Sequence, residues 1–256
     1  MFPLQPWKKA TSTVGLVVTR GSGCTNVMAA EWTYFVAREP PHIAVVINEK
    51  NWTAELVGLG DSFTVTLASS GQADLVDFVG GFSGRDVDKS TTSGLRFEPG
   101  SSVEVPWVAG GVAAFECVAV AELDLPQYRQ VVGEVVDWHE TVPEPAPLVK
   151  HDGMYHLGIP VERVAVVAAA GLLSGGRTVR VCATGPVDDD LPFGIRLDAL
   201  DGTTVELGGY PCDEYGDLLA EIEVPEGIAV SGLTIQVSRP GLRSAVVRLA
   251  RPHVES

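Results

Sequence analysis

Hydrophobic and polar residues alternate along most of this chain, which is the pattern of half-buried β-strands. Residues 63–67 alternate cleanly, and residues 14–19 and 43–47 are short β-branched runs bounded by Gly, Pro or Asn. Residues 113–121 and 130–138 are long enough to form a pair of antiparallel strands. The first part of the chain is therefore predicted to be mainly β.

Two segments of this first part have helical spacing instead. These segments are residues 53–60 and residues 72–80. In residues 72–80 the apolar side chains of Leu75, Val76 and Val79 would share one face of a helix. Many strands with few covering helices favour a closed or nearly closed barrel with short helices, extending to about residue 158.

The alternation of apolar and polar residues continues to the end of the chain, where regularly spaced turn residues divide it into short segments. Turn signals such as Asp201-Gly202 and Pro240-Gly241 separate short strands. The predicted strands are residues 178–182, 195–200, 219–224, 233–238 and 245–249. Residues 159–256 are therefore predicted to form a separate β-sandwich-like domain.

Composition excludes several classes of protein. The 256 residues include 33 acidic and 18 basic side chains, giving a net charge of −15, which disfavours binding to nucleic acid or to an anionic membrane. Apolar runs are too short for a membrane helix, and the N-terminus does not follow a signal-peptide pattern, so a cytoplasmic location is expected.

The cysteines and histidines are scattered, and no metal site is expected. The four cysteines form no CxxC pair, so free thiols are expected, with a disulfide between Cys182 and Cys212 as the alternative. Residues 188–190 are three aspartates that suit either a hard cation or, with better support, a solvated turn.

Four segments of the first part are unusual together, and one of them is the strand around Phe115-Glu116-Cys117 with the following strand that contains Gly133-Glu134-Val135. The predicted loop at residues 20–26 leads into Val27-Met28-Ala29-Ala30-Glu31-Trp32-Thr33, and a strand starting at Pro40-Pro41 ends in Lys50-Asn51-Trp52-Thr53. The third segment, Gly84-Arg85-Asp86-Val87-Asp88-Lys89, follows a predicted helix.

In this order the segments resemble the flavin reductase-like family of FMN-binding split barrels, which includes flavoredoxin and the reductase components of two-component monooxygenases. The resemblance covers roughly residues 6–158. It implies that residues 1–158 form an FMN-binding split barrel, and it leaves residues 159–256 as an additional β-domain of unknown role.

The resemblance also implies where FMN binds. Lys89 and Thr53 would contact the phosphate, and Lys50 and Arg85 are cations suited to assist them. The segment that lines the ring, largely through its backbone, would contain the residues Asn26, Met28, Ala29, Ala30, Trp32 and Thr33. The alternatives are a solvated surface lysine at position 89 and a core aromatic residue at position 32. Cys24 is a candidate redox thiol, although an ordinary loop cysteine is favoured.

Two positions depart from the family pattern. Many members carry Gly-Asp-His before the penultimate strand, where this chain has Leu125-Pro126-Gln127-Tyr128, so Tyr128 takes the place of the family's histidine and is the candidate catalytic residue. Ser90 follows Lys89, where an aromatic residue is usual. Tyr155 and His156, near the end of the barrel, are further candidates for covering the flavin, with a packed strand end as the alternative.

These features predict an FMN-dependent oxidoreductase of the flavin reductase type. NADH or NADPH would supply the hydride, and reduced flavin or electrons would pass to an oxygenase or electron-transfer protein. The resemblance implies a homodimer. The alternatives are a flavoredoxin-like electron carrier, and a specialised biosynthetic or binding protein that has lost reductase activity.

Overall fold

The computed structural model of this protein describes residues 5–21, 23–92, 94–158, 161, 164–185, 191–214 and 216–249. The chain folds into two compact units, Met1–Ile159 and Pro160–Ser256. The division falls one residue beyond the sequence-based boundary. Which role each part has stays a prediction.

The first unit is built mainly from strands. They are β1 (Ser12–Thr13), β2 (Gly15–Gly21), β3 (Cys24–Ala30), β4 (Thr33–Arg38), β5 (Pro41–Asn48), β6 (Ser62–Leu67), β7 (Phe97–Glu98), β8 (Trp107–Val108), β9 (Ala113–Leu125), β10 (Tyr128–Glu140), β11 (Leu148–His151) and β12 (Gly153–His156). The helices are α1 (Thr53–Leu56), α2 (Ala73–Gly81) and the 3₁₀ turns Pro6–Lys9, Ser70–Gln72 and Lys89–Thr91. The predicted mainly β fold is confirmed.

Seven of these strands form one antiparallel sheet in the order β3-β2-β6-β9-β10-β5-β4. Met28 of β3, Phe63 of β6 and Val45 of β5 belong to one buried cluster on the inner face. Because strands from opposite ends of the sheet share this cluster, the sheet curls around it as a barrel. The outer face of β2 and β3 packs on α2 through the apolar residues Leu16, Val18, Val27, Leu75, Val76 and Val79.

Thr33, at the start of β4, lies directly against the start of β2. Its carbonyl accepts a hydrogen bond from Thr13 Oγ1 at 2.8 Å. A Cβ atom at Gly15 would lie 2.6 Å from Thr33 Oγ1, so only a glycine allows this approach. The contact brings the two ends of the curled sheet together.

Two predicted elements are corrected. The helix expected over residues 53–60 is the four-residue α1, because Val57 is extended and Asp61 N donates to Gly58 O at 3.0 Å in a turn. The loop expected over residues 20–26 is the tip of the β2–β3 hairpin. Gly23 supplies a positive φ of 80° at that tip, and Asn26 therefore lies inside a strand.

The second unit contains two antiparallel sheets around one core. Its strands are β13 (Val167–Leu172), β14 (Thr178–Thr184), β15 (Phe193–Asp198), β16 (Thr204–Tyr210), β17 (Leu218–Glu223), β18 (Thr234–Ser238) and β19 (Ala245–Arg248). The sheet orders are β13-β14-β17 and β16-β15-β18-β19. Alternate residues of both sheets, including Val181, Ile195, Ile222 and Ile235, share the core, as in a β-sandwich.

All four cysteines are free thiols, so the alternative of a disulfide between Cys182 and Cys212 is wrong. The three aspartates at residues 188–190 lie outside the described residues. Among the helices that the structure describes, none is long and apolar enough to cross a membrane.

Candidate functional site

Three adjoining cavities follow β3, which is the edge strand of the barrel sheet. The central cavity, of about 310 Å³, shares residues with a distal cavity of about 560 Å³ and with an aromatic cavity of about 190 Å³. Asn26 and Lys89 border both the central and the distal cavity, whereas Met28 and Ala29 border both the central and the aromatic cavity. Together the three cavities form one groove.

Lys89 supplies a buried positive charge at the junction of the central and distal cavities. Its side chain is 7% exposed, and its ammonium group donates to Val27 O and Val79 O, each at 2.8 Å. Val79 lies in the last turn of α2, so Lys89 binds a carbonyl that the helix leaves unpaired. An ammonium group has three protons, and one remains for a ligand.

Burial lowers the pKa of Lys89 to about 8. Within the described part of the chain, no carboxylate forms an ion pair with it. A buried ammonium without a counter-ion is costly, and an anionic ligand in the cavity would remove that cost. This end of the groove is therefore suited to an anion.

Asn26 and Thr53 form the polar wall beside Lys89. Asn26 Nδ2 donates to Thr53 Oγ1 at 2.8 Å, and both side chains are almost fully buried. Thr53 Oγ1 is an acceptor in this bond, so its own proton is available to a ligand. Asn26 Oδ1 is buried without a hydrogen-bond partner, and a ligand hydroxyl or N–H group would satisfy it.

Gly84 keeps this corner open. A Cβ atom at this position would lie 2.4 Å from Asn26 Oδ1 and 2.9 Å from the Trp52 ring. Any larger residue would fill the space beside the polar wall, so glycine is required by close approach.

The backbone of β3 also faces the groove. Val27 O is bonded by Lys89, so it points away from β2. Backbone groups of alternate residues point to the same side of a strand, which directs the amide and carbonyl groups of Thr25 and Ala29 into the groove. An edge strand of this kind offers donors and acceptors to a planar ligand.

Aromatic side chains close the other end of the groove. Trp32 and Tyr128 lie with their ring centroids 5.4 Å apart, and both line the aromatic cavity with Trp7 and Ala30. Tyr128 is the first residue of β10 and follows Gln127, whose φ is 67°. The tight turn at Gln127 therefore places the Tyr128 ring at the aromatic end of the groove.

The two remaining predicted cations lie at the groove's rim. Lys50 lines the central cavity and is exposed. Arg85 lines the distal cavity and forms an ion pair with Glu55, whose hydrogen bond raises the pKa of Arg85. Cys24 also lines the distal cavity, where its Sγ donates to Gly21 O at 3.1 Å.

Ten of the twelve predicted site residues therefore border the groove, and two do not. Thr33 is buried, with Oγ1 donating to Ala30 O at 3.0 Å, and His156 is exposed at the end of β12. Sequence reasoning missed the lining residues Trp7, Asn51, Trp52, Asp86 and Phe97. Asn51 and Trp52 lie between Lys50 and Thr53, so the segment that predicted those two contacts could have included them. No sequence motif around Trp7 or Phe97 indicates that either residue lines a ligand groove.

The structure therefore shows a barrel protein with a groove along one edge strand, and this groove has a corner suited to an anion and an aromatic end. The chain belongs to the flavin reductase like domain family, which matches residues 7–158. The predicted family and its split-barrel fold are confirmed.

Individual proteins are also similar to this chain. An uncharacterized protein of Deinococcus radiodurans is 31% identical over 133 residues, which are 48% of this chain and 59% of that protein. The chain thus spans less than two thirds of this curated relative's length. The FMN-binding protein from Thermus thermophilus, with bound p-hydroxybenzaldehyde, is 25% identical at a TM-score of 0.55, covering 61% of this chain and 92% of its own. Flavoredoxin from Methanosarcina acetivorans is 25% identical at a TM-score of 0.54, and the match covers 59% of this chain and 88% of the flavoredoxin chain.

Proposed function

We propose that this protein is an FMN-binding oxidoreductase that takes electrons from NADH or NADPH and passes reduced flavin or electrons to a partner protein. The observation that carries the proposal is the buried ammonium of Lys89, which has no carboxylate partner in the described part of the chain and faces the groove. It lies beside an edge strand in a barrel of the flavin reductase family.

The residues of the corner fit a flavin phosphate. Lys89 has one free ammonium proton and Thr53 has a free hydroxyl proton, and both are donors suited to phosphate oxygens. Asn26 Oδ1 is an acceptor without a partner, which suits a hydroxyl of the ribityl chain next to the phosphate. Lys50 and Arg85 would add positive charge from the rim, with Arg85 weakened by its pairing with Glu55.

The remainder of the groove suits the isoalloxazine ring. The backbone of β3 at Ala29 supplies hydrogen-bonding groups, and Met28, Ala30 and Trp32 supply apolar surface. When bound, FMN supplies a centre that accepts a hydride and releases electrons. The protein's part is to hold the ring, to exclude water with its aromatic side chains, and to present the Tyr128 hydroxyl as a hydrogen-bonding group.

A flavoredoxin-like electron carrier is the second candidate, and the aromatic cavity favours it. The aromatic cavity has a volume of about 190 Å³, which is below the roughly 300–1,000 Å³ of typical small-molecule pockets, and the Trp7 side chain lines it. A cavity this small disfavours a large organic substrate. Electron transfer to a partner protein needs no such substrate.

The partners in this proposal are an oxygenase or electron-transfer protein and a second copy of the chain. Phe35 and Trp138 are 47% and 56% exposed, and Phe115 contacts both rings, with centroid distances of 5.1 and 6.5 Å. Val136 extends this apolar surface on β10. An exposed aromatic surface of this kind is typical of an interface, and we assign it to the homodimer.

Absorbance spectroscopy of the full chain tests the proposal. Adding FMN should produce a bound-flavin spectrum, and anaerobic NADH or NADPH should then bleach it. Bleaching supports the reductase, whereas bound flavin that only an electron-transfer protein reduces supports the carrier. A protein that takes up no flavin would overturn both.

A further inference from the structure

An ion pair between Glu55 and Arg85 joins the two segments that carry Thr53 and Lys89, the donors of the anion-suited corner. Glu55 lies in α1, two residues after Thr53, and Arg85 lies in the loop that precedes Lys89. The backbone N–H of Arg85 donates to Ser83 Oγ at 3.2 Å, which fixes the start of the side chain and leaves the guanidinium group able to turn. The ion pair therefore lies beside the corner where the flavin phosphate is proposed to bind.

Arg85 begins close to that phosphate. It follows Gly84, which is so near to Asn26 that a Cβ atom there would lie 2.4 Å from Asn26 Oδ1. The Arg85 side chain lines the distal cavity, which meets the central cavity at Gly84 and Lys89. A guanidinium group can bind a phosphate through two parallel hydrogen bonds. Arg85 therefore has two candidate anionic partners, the carboxylate of Glu55 and a phosphate in the corner.

The structure shows Arg85 bound to Glu55, which keeps its charge from the corner. Glu55 accepts the hydrogen bond that raises the pKa of Arg85. Lys89 uses two of its three protons on backbone carbonyls, and Asp86 places a carboxylate at both cavities. A phosphate in the corner therefore meets little net positive charge, and release of Arg85 from Glu55 would raise that charge.

The ion pair is exposed, so the fold depends on it little. The side chains of Arg85 and Glu55 are 46% and 58% exposed. Surface ion pairs contribute little to stability, because water and salt screen them. Loss of this ion pair should therefore affect the binding of a phosphate more than it affects folding.

We infer that Glu55 is a positioning residue that lowers the affinity of the groove for phosphorylated flavin by holding the Arg85 guanidinium away from the phosphate. The inference rests on the proposed function, because it takes the flavin phosphate to lie beside Lys89. It deepens that function, since weaker phosphate binding speeds the release of reduced flavin to a partner. Glu55 thus favours transfer of the flavin itself over a flavin that stays bound.

Equilibrium titration of the full chain with FMN and with riboflavin, followed by flavin fluorescence, tests this inference. Glu55→Gln keeps the size of the side chain, removes its charge and frees Arg85, so FMN should bind about threefold to tenfold more tightly. Riboflavin has no phosphate, and its dissociation constant should stay the same. Glu49→Gln is the matched control, because Glu49 is exposed, carries the same charge and lines none of the three described cavities. It should change the FMN dissociation constant by less than about twofold.

Arg85→Gln shows whether Glu55 acts through Arg85. It should weaken FMN binding by about threefold to tenfold in the Glu55→Gln background and by less than about twofold in the wild type, where Glu55 already holds the guanidinium group. Stopped-flow kinetics give a second readout. The gain from Glu55→Gln should appear as slower FMN release, because a contact is added to the complex, whereas a change of surface charge alone alters the association rate. Thermal melting of each variant checks that the fold is kept.

The outcomes separate this inference from the proposed function. If the wild-type chain binds no flavin, both are wrong. If FMN binds and Glu55→Gln leaves its dissociation constant unchanged, or tightens riboflavin by the same factor, the role of Glu55 is wrong and the flavin function stands. Equal effects of Arg85→Gln in the two backgrounds would likewise overturn the inference, because Glu55 would then act without Arg85.

Discussion

At the scale of single residues, Lys89 combines a structural and a functional role. Its ammonium links β3 to the end of α2 by donating to Val27 O and Val79 O, and it lines the central cavity with one proton left for a ligand. Replacing it by alanine would leave two buried carbonyls unsatisfied, at a cost of about 1–3 kcal/mol each. Loss of flavin binding in Lys89→Ala would therefore be mixed with loss of stability, and a titration of the unmodified protein is the better test.

Flavin binding should depend on the protonation of Lys89. Because burial holds the pKa of Lys89 at about 8, the empty protein loses this charge as the pH rises through 8. A phosphate binds the charged form, so FMN affinity should be highest below pH 8 and should fall above it by up to tenfold per pH unit. The measurement is the FMN dissociation constant between pH 7 and pH 9.5.

Two controls isolate the effect of Lys89. Riboflavin lacks the phosphate, so its affinity should stay flat over the same pH range. Lys50→Met removes an exposed lysine that lines the same cavity, and the slope for FMN should persist in it. An FMN affinity that does not change between pH 7 and pH 9.5 would contradict the phosphate role of Lys89.

Tyr128 permits a second prediction at this scale. Its ring lies 5.4 Å from the Trp32 ring at the aromatic cavity, the end of the groove that the proposed function gives to the flavin ring. A histidine gains or loses a proton around neutral pH, so Tyr128→His should introduce an ionisation near pH 6–7 into the pH profile of flavin reduction. Anaerobic reduction rates of the two proteins are compared across pH 5.5–8.5, with Tyr128→Phe as the control that cannot titrate. Identical profiles in all three proteins would place residue 128 away from the flavin.

At the scale of elements, the sequence predicts the strands well and the groove less well. Residues 63–67 alternate because one face of β6 is in the barrel core, and this signal is local. The end of α1 at Leu56 was missed because the turn at Gly58 and Asp61 interrupts a helical pattern of apolar residues. Phe97 reaches the groove through the pairing of β7 with β8, a non-local contact that no spacing reveals.

The segment between β7 and β8 depends on one buried carboxylate. Glu116 of β9 is fully buried and accepts backbone N–H bonds from Ser101 at 2.7 Å, Ser102 at 2.7 Å and Val103 at 2.8 Å. His139 Nε2 lies 2.6 Å from the same carboxylate. Burial acts to raise the pKa of Glu116, but these hydrogen bonds outweigh it and hold the pKa below its ordinary value.

Glu116→Gln should therefore destabilise the first unit by about 2 kcal/mol or more, because a neutral amide replaces a charged acceptor of several hydrogen bonds. Since the folded-state pKa is lowered, the stability that Glu116 contributes is present above its unfolded pKa of about 4.3 and is lost as the pH falls below it. Urea denaturation at pH 7 and pH 4 measures both effects. Glu140→Gln, at an exposed position of β10, is the control and should change the unfolding free energy by less than about 0.5 kcal/mol. If the Glu116→Gln variant and the wild type had equal free energies of unfolding, the conclusion that Glu116 stabilises the segment between β7 and β8 would be wrong.

At the scale of the whole molecule, the two units have separate cores. The clusters of the first unit draw on residues from Val14 to Met154, and the cluster of the second unit draws on residues from Val166 to Leu249. The alternation of apolar residues predicts both cores because each is built from half-buried strands. The function of the second unit is not encoded in such a pattern, since alternation specifies burial and not a ligand.

A chain ending at residue 158 should fold and bind flavin without the second unit. The described residues of all three cavities lie between Trp7 and Tyr128, so the truncation leaves the groove's lining intact. The barrel keeps both of its own apolar clusters, which are the main source of its stability. We expect an FMN dissociation constant within about threefold of the full chain's, because differences below about 0.7 kcal/mol are typical of changes that leave a site's contacts unaltered. Flavin titration and urea denaturation of the truncated and full chains make the comparison, and an insoluble or non-binding fragment would show that the second unit completes either the core or the site.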